Sequence, residues 1–214
     1  MWIDPVRDHR HSAPRDDERT IMTTTSRSWP DQLAAQLRWH WDHQLSARLA
    51  GLTDEEYFWE PVADCWSVRP RGTSTAQMQA GSGAMTIDFA FPEPSPAPFT
   101  TIAWRLGHVI VGVLGARNGV HFGHEQVTYD SFEYAPTATQ ALAQLEREYR
   151  RWTDGVAAMS EDEFWAPCGP GEGGWADHPM AELVLHINRE VIHHLSEVCL
   201  LRDLHLHTIR QDAS

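Results

Sequence analysis

Four long stretches of this chain repeat their apolar residues with the period of an α-helix. The third of them spaces Leu142, Leu145, Tyr149, Trp152 and Val156 by three and four residues in turn. No stretch shows the regular alternation of apolar and polar residues that a half-buried strand would need. The pattern predicts an all-α protein, a four-helix bundle built from two helical hairpins with long connecting loops.

Helix limits follow from capping and helix-breaking residues. We predict long helices over residues 30–50, 101–118, 139–159 and 179–206, with irregular loops over 62–98 and 120–136. Gly119 is expected to end the second helix. A capped turn follows the first helix and another follows the third, at Thr53/Glu56 and at Ser160/Glu163. This repeated order is compatible with an internal duplication and with chance similarity.

The first 28 residues are polar, charged and aperiodic, so we predict a disordered or loosely docked arm over 1–28 and one domain over 29–214. The net charge of −13 argues against a nucleic-acid partner. No apolar run approaches the roughly 18 residues that a membrane helix needs, and no signal core precedes the domain. Three scattered cysteines do not form a disulfide framework, which favours a cytoplasmic protein. A small-molecule substrate and a second copy of the chain remain as expected partners.

Histidines on the second and fourth helices are the candidate functional residues. Glu190 and His194 are one helical turn apart on the apolar face of the fourth helix, and His108 is the sole histidine of the apolar second helix. Two imidazoles and one carboxylate form a known set of ligands for a divalent metal. A hydrogen bond between Glu190 and a histidine is the competing, purely structural interpretation. His186 and His193 are possible additional ligands.

The chain resembles the DinB-like superfamily of four-helix-bundle metalloproteins. The resemblance rests on the helix order, the Trp66–Pro70 run, Leu106-Gly107-His108 and the histidine-rich fourth helix, and it spans about residues 30–206. It implies a metal bound by His108, Glu190 and His194, with glutamate where histidine is commoner in the family. The mycothiol-dependent isomerase branch also has a glutamate there, with a histidine four residues later.

The resemblance implies a divalent-metal-dependent enzyme, with Zn, Ni, Mn or Fe as the ion and a low-molecular-weight thiol such as mycothiol as co-substrate. Transfer or isomerisation is the implied reaction. Trp66, Arg69 and Arg105 are expected at the mouth of the pocket, although Trp66 and Arg69 could equally anchor a loop and Arg105 could pair with an acid such as Glu197. The alternative function is a non-catalytic, stress-associated helical bundle with a structural His/Glu core.

Overall fold

A computed structural model describes residues 27–212 of the chain, with side chains described to residue 208. The predicted arm over 1–28 therefore lies outside the described residues except for Arg27 and Ser28. The described part is mostly helical and carries one small sheet.

Two of the long helical segments contain a turn of π-helix. The first segment consists of α1 (Trp29–His40), the π-helical turn Trp41–Leu45 and α2 (Ser46–Leu49), and it begins at Ser28, whose hydroxyl accepts from the backbone N–H of Asp31. The short α3 (Asp54–Phe58) follows, and Thr53 and Glu56 form the predicted capping box at its start.

The second segment consists of α4 (Ile102–His108), the π-helical stretch Val109–Gly115 and α5 (Ala116–Phe122). Its start at the Thr101 cap agrees with the prediction, but its predicted end at Gly119 is wrong. Gly119 is buried in the helix, where a side chain would collide with Gln126. The helix ends where Gly123 takes a left-handed conformation at φ 69°.

The remaining helices complete the chain. They are α6 (Ala138–Ala158), α7 (Glu161–Trp165), a 3₁₀ segment Pro170–Trp175 and α8 (Met180–Asp212). Ser160 and Glu163 form the second capping box. Helix α8 extends beyond its predicted end at residue 206. It packs against α1, α4 and α7, while α6 packs against α1, α4 and α5. None of the helices in the described range is long and apolar enough to cross a membrane.

The predicted irregular loop over 62–98 contains an antiparallel sheet, so the purely helical fold class is wrong at this point. Strands β1 (Val68–Pro70), β2 (Met78–Ala80) and β3 (Met85–Phe89) pair in the order β1-β3-β2. The central strand is buried at four successive residues, which leaves no alternation for a sequence pattern to reveal. The sheet contacts α4 through β1 and β3, and it therefore lies beside the helix that carries His108.

Candidate metal centre

Glu190 lies between two histidines on one side of α8. Its Oε1 is 3.5 Å from Nδ1 of His186, and its Oε2 is 3.4 Å from Nε2 of His194. The Glu190 and His194 side chains are 26% and 16% exposed, whereas Ile187 and Val191 are fully buried. The pair therefore lies at the edge of the apolar face of α8, where polar side chains remain accessible to a small ligand.

His108 faces this pair from the end of α4. Its ring centroid is 4.8 Å from that of His194, and the two rings are nearly perpendicular. The packing of α4 on α8 thus brings together His108 and His194, with Glu190 next to His194. We call His108, Glu190 and His194 the inner set.

The surroundings of His108 favour a neutral imidazole with one free nitrogen. Its Nδ1 lies 2.7 Å from the hydroxyl of Tyr129, while Nε2 has no hydrogen bond within the described residues. Trp104 stacks on the ring at 5.4 Å. Burial, together with the neighbouring His194, lowers the pKa of His108 to about 4, so the ring is uncharged at neutral pH. A neutral imidazole is the form that binds a metal.

Gly112 leaves the space that the hydrogen bond between Tyr129 and His108 requires. A Cβ atom at this position would lie 2.1 Å from the Tyr129 hydroxyl and 3.3 Å from Nδ1 of His108. The glycine is part of the π-helical stretch directly after α4. Tyr129 is absent from the sequence-based site, because it lies in the loop after α5 and only the folded chain brings it to His108.

Glu197 is the second residue that the sequence analysis did not assign to the site. Its Oε2 is 2.8 Å from Nδ1 of His194, and the same oxygen pairs with Arg105. Arg105 thus contacts a carboxylate that itself contacts His194, and does not face open solvent as a free cation. The sequence contained one indication of this contact: Glu197 follows His194 by three residues, and residues at this spacing share a helix face.

A second group of donors overlaps the inner set. His193, His194 and Glu197 form the only trio of His, Cys, Asp or Glu side chains within residues 27–208 that offers donor atoms within 4.8 Å of one another. We call this trio the outer set. His193 is 63% exposed, and its Nε2 lies 3.5 Å from Oε1 of Glu197. The two sets share His194 but use opposite nitrogens of its ring in their contacts with Glu190 and Glu197.

The other predicted site residues differ in how they relate to this centre. The Nδ1 of His186 is 2.7 Å from the Arg189 guanidinium. The Trp66 ring is 6.1 Å from Trp104 and is therefore separated from His108 by one ring. Arg69, on β1, contacts Asp88 on β3, and Glu60 and the carbonyl of Cys65 in the segment before β1, so its contacts lie within the sheet region.

Comparison with known proteins identifies the chain at the level of a family. The sequence profile described as the DinB superfamily matches residues 36–198, which include every residue of the inner and outer sets. No curated protein and no solved structure matches the chain significantly.

Proposed function

Because the chain belongs to the DinB superfamily, we propose that it is a divalent-metal-dependent enzyme whose ion is held by the inner set on a four-helix bundle. The observation that carries the proposal is the contact of His108 with His194 across two helices, with Glu190 beside them and Nε2 of His108 free of a protein partner. A neutral imidazole with a free nitrogen, next to an imidazole and a carboxylate, has the chemistry of a divalent-metal ligand set.

Hydrogen bonds behind the ligands support this assignment. Metal-binding histidines usually donate their second ring N–H to an oxygen that fixes the tautomer and the orientation of the ring. For His108 this oxygen is the Tyr129 hydroxyl, and for His194 it is the Glu197 carboxylate; each lies next to the Nδ1 atom of its histidine. Both histidines would then present Nε2 to the ion. The outer set lacks this arrangement, since the His193 side chain has no hydrogen bond in the described structure and Glu197 would itself be a ligand there.

The bound ion would act as a Lewis acid and would lower the pKa of a coordinated water or thiol. We propose a low-molecular-weight thiol of the mycothiol type as co-substrate, with transfer to or isomerisation of a small molecule in the cytoplasm. The support is family membership together with a glutamate at position 190. Zn, Ni, Mn and Fe are all compatible with this donor set.

The alternative is a bundle whose His/Glu cluster is only structural. One observation favours it: Glu190 has His186, His194 and Arg189 within 3.7 Å, so its charge has partners inside the protein. Such pairing would satisfy the carboxylate without any ion. The two functions differ in whether His108 has a role in metal binding.

Metal analysis of the protein purified without chelator tests the proposal. We expect about one ion per chain, lost in His108→Ala with little change in helical content and retained in His193→Ala. A thiol-transfer screen would then compare the wild type with His108→Ala, and activity should follow the metal. Loss of the ion in His193→Ala but not in His108→Ala would assign it to the outer set. A wild type without metal, and without thermal stabilisation by added Zn²⁺, Ni²⁺, Mn²⁺ or Fe²⁺, would leave the structural cluster as the correct interpretation.

A further inference from the structure

A polar cavity of about 490 Å³ lies between the turn before β1 and the loop after it. Its lining comes from the turn at 60–66, the β1–β2 loop at 73–76, Arg69 and Asp88. None of the residues of the inner and outer sets lines it. The volume falls in the range of small-molecule sites, and the cavity is independent of the proposed metal.

The most buried residue of the lining has an unsatisfied oxygen. The Asp88 side chain is only 2% exposed. Its Oδ2 accepts from the backbone N–H of Ser67 at 3.0 Å and from Nε of Arg69 at 3.1 Å. Its Oδ1 is buried and has no hydrogen-bond partner among the described residues. A buried acceptor without a donor is unfavourable, so a ligand that brings a donor here would gain a strong hydrogen bond.

The lining is also negatively charged. Glu60, Asp64 and Asp88 contribute three carboxylates, while Arg69 is its only Lys or Arg side chain. Arg69 is already occupied, since its three guanidinium nitrogens donate to Glu60, Asp88 and the Cys65 carbonyl. The net charge of the cavity lining is therefore negative, which favours a cationic ligand.

We propose that this cavity binds a small hydroxylated primary ammonium ion. An ammonium group has three donors and no acceptor, which suits Oδ1 of Asp88 and the neighbouring carboxylates. Thr73, Ser74 and Thr75 are also in the lining. The Thr73 hydroxyl donates to the carbonyl of Pro70 and the Ser74 hydroxyl accepts from the N–H of Ala76, and each keeps capacity for a further hydrogen bond with a ligand hydroxyl. Trp66 lines the cavity too, and an indole is the aromatic group that attracts a cation best.

A metal ion is a poorer occupant. Two of the three carboxylates in the lining, Glu60 and Asp88, already pair with Arg69, which leaves fewer free anionic oxygens for an ion. The cavity is also far larger than a single ion. An organic cation fills this volume and reaches carboxylates that stand apart.

Tris(hydroxymethyl)aminomethane and pentaerythritol form a matched pair of probes for this site. Both carry hydroxymethyl arms on a central carbon, but only the first has an ammonium group at neutral pH. Each is titrated in phosphate buffer against the ¹⁵N-labelled full chain, with the Trp66 indole N–H resonance assigned through Trp66→Phe. We expect a saturable shift with the amine and none with the neutral alcohol. Equal shifts with both compounds, or no saturable shift with the amine, would overturn the proposal.

Charge-removing variants locate the binding to the cavity. Asp64 is exposed, has no side-chain hydrogen bond or ion pair in the described structure, and has a backbone φ of 61° that asparagine also tolerates. Asp64→Asn should therefore fold normally and weaken binding of the amine by about three- to tenfold. Glu93→Gln makes the same charge change at an exposed residue outside the lining, and it should bind the amine as the wild type does.

Asp88→Asn is the stronger substitution, because it removes the most buried carboxylate of the lining. It should abolish the shift while the melting temperature shows whether the sheet remains intact. If Asp88→Asn fails to fold, Asp64→Asn still decides the question. Equal losses of affinity in Asp64→Asn and Glu93→Gln would show a general charge effect and would refute a site in this cavity.

Discussion

His194 has a glutamate next to each of its two ring nitrogens. One of its ring nitrogens faces Glu190 at 3.4 Å, and the other is 2.8 Å from Glu197. Arg105 holds the Glu197 carboxylate from α4, the helix that also carries His108. The orientation of the His194 ring therefore depends on a contact between α4 and α8.

Replacement of Glu197 by glutamine tests this dependence. Glu197→Gln removes the charge that supports His194 and deprives Arg105 of its carboxylate, so the affinity for the metal should fall by about 10- to 100-fold. Competition with a coloured chelator measures it. Asp203→Asn is the matched control, since Asp203 lies on the same helix and pairs with Arg48, away from the site. Equal affinities in all three proteins would contradict the positioning role.

The local sequence predicted the candidate ligands better than their supporting residues. Glu190 and His194 stood out because their four-residue spacing places them on one helix face. Tyr129 could not be found in this way, since it reaches His108 from a loop and does so only because Gly112 lacks a side chain. Contacts between segments that are distant in sequence depend on tertiary packing, and the periodicity of a single helix carries no information about that packing.

Among the elements, the helix starts were the most predictable features. Ser28, Thr53, Thr101 and Ser160 each cap a helix through a hydrogen bond made within three residues. The sheet was missed because its strands are only three to five residues long and the central one is buried without alternation. Short strands of this kind depend on their partners and not on their own pattern.

The capping box of α3 includes an ion pair between Glu56 and Arg202, which predicts that its contribution to stability depends on pH. Burial alone would raise the pKa of Glu56, but hydrogen bonds from Arg202 and Thr53 hold it below its ordinary value of 4.5. The folded state therefore favours the charged carboxylate, so this stabilisation is complete above pH 4.5 and is lost as the pH falls through the lowered pKa. Hydrogen bonds from the backbone and side chain of Ser160 also lower the pKa of Glu163, but Glu163 has no arginine partner in the described structure, so the two boxes differ only in the contact with Arg202.

Urea unfolding of glutamine variants across the acid range measures this difference. Glutamine preserves a capping box, so Glu56→Gln should lose only the contact with Arg202, about 1 kcal/mol at neutral pH. Its stability should converge with that of the wild type as the pH falls below 4.5. Glu163→Gln, the control, should remain close to the wild type at neutral pH. A stability gap for Glu56→Gln that stays constant down to the acid end would show that the carboxylate charge is irrelevant.

At the scale of the whole molecule, a few polar side chains join helices that are far apart in sequence. Arg202 on α8 donates to Glu56 and to the carbonyls of Arg48 and Ala50 at the end of the first helical segment. Such contacts hold the C-terminal half of α8 against α2 and α3. Helical periodicity predicted that long helices would pack, but it contains no information on which polar residues would connect them.

Asn188 on α8 connects three helices, because its side chain forms hydrogen bonds with α6 and with α1. Its Oδ1 accepts from Nε1 of the fully buried Trp152 on α6, and its Nδ2 donates to the carbonyl of Leu33 on α1. Asn188→Ala would leave the indole N–H of Trp152 buried without a partner, so the free energy of unfolding should fall by about 2 kcal/mol. Chemical denaturation monitored by near-ultraviolet circular dichroism measures this loss. Ser196→Ala is the control, because Ser196 is exposed and bonds only within α8. If Asn188→Ala loses no more stability than Ser196→Ala, the Asn188 hydrogen bonds do not stabilise the packing of these three helices.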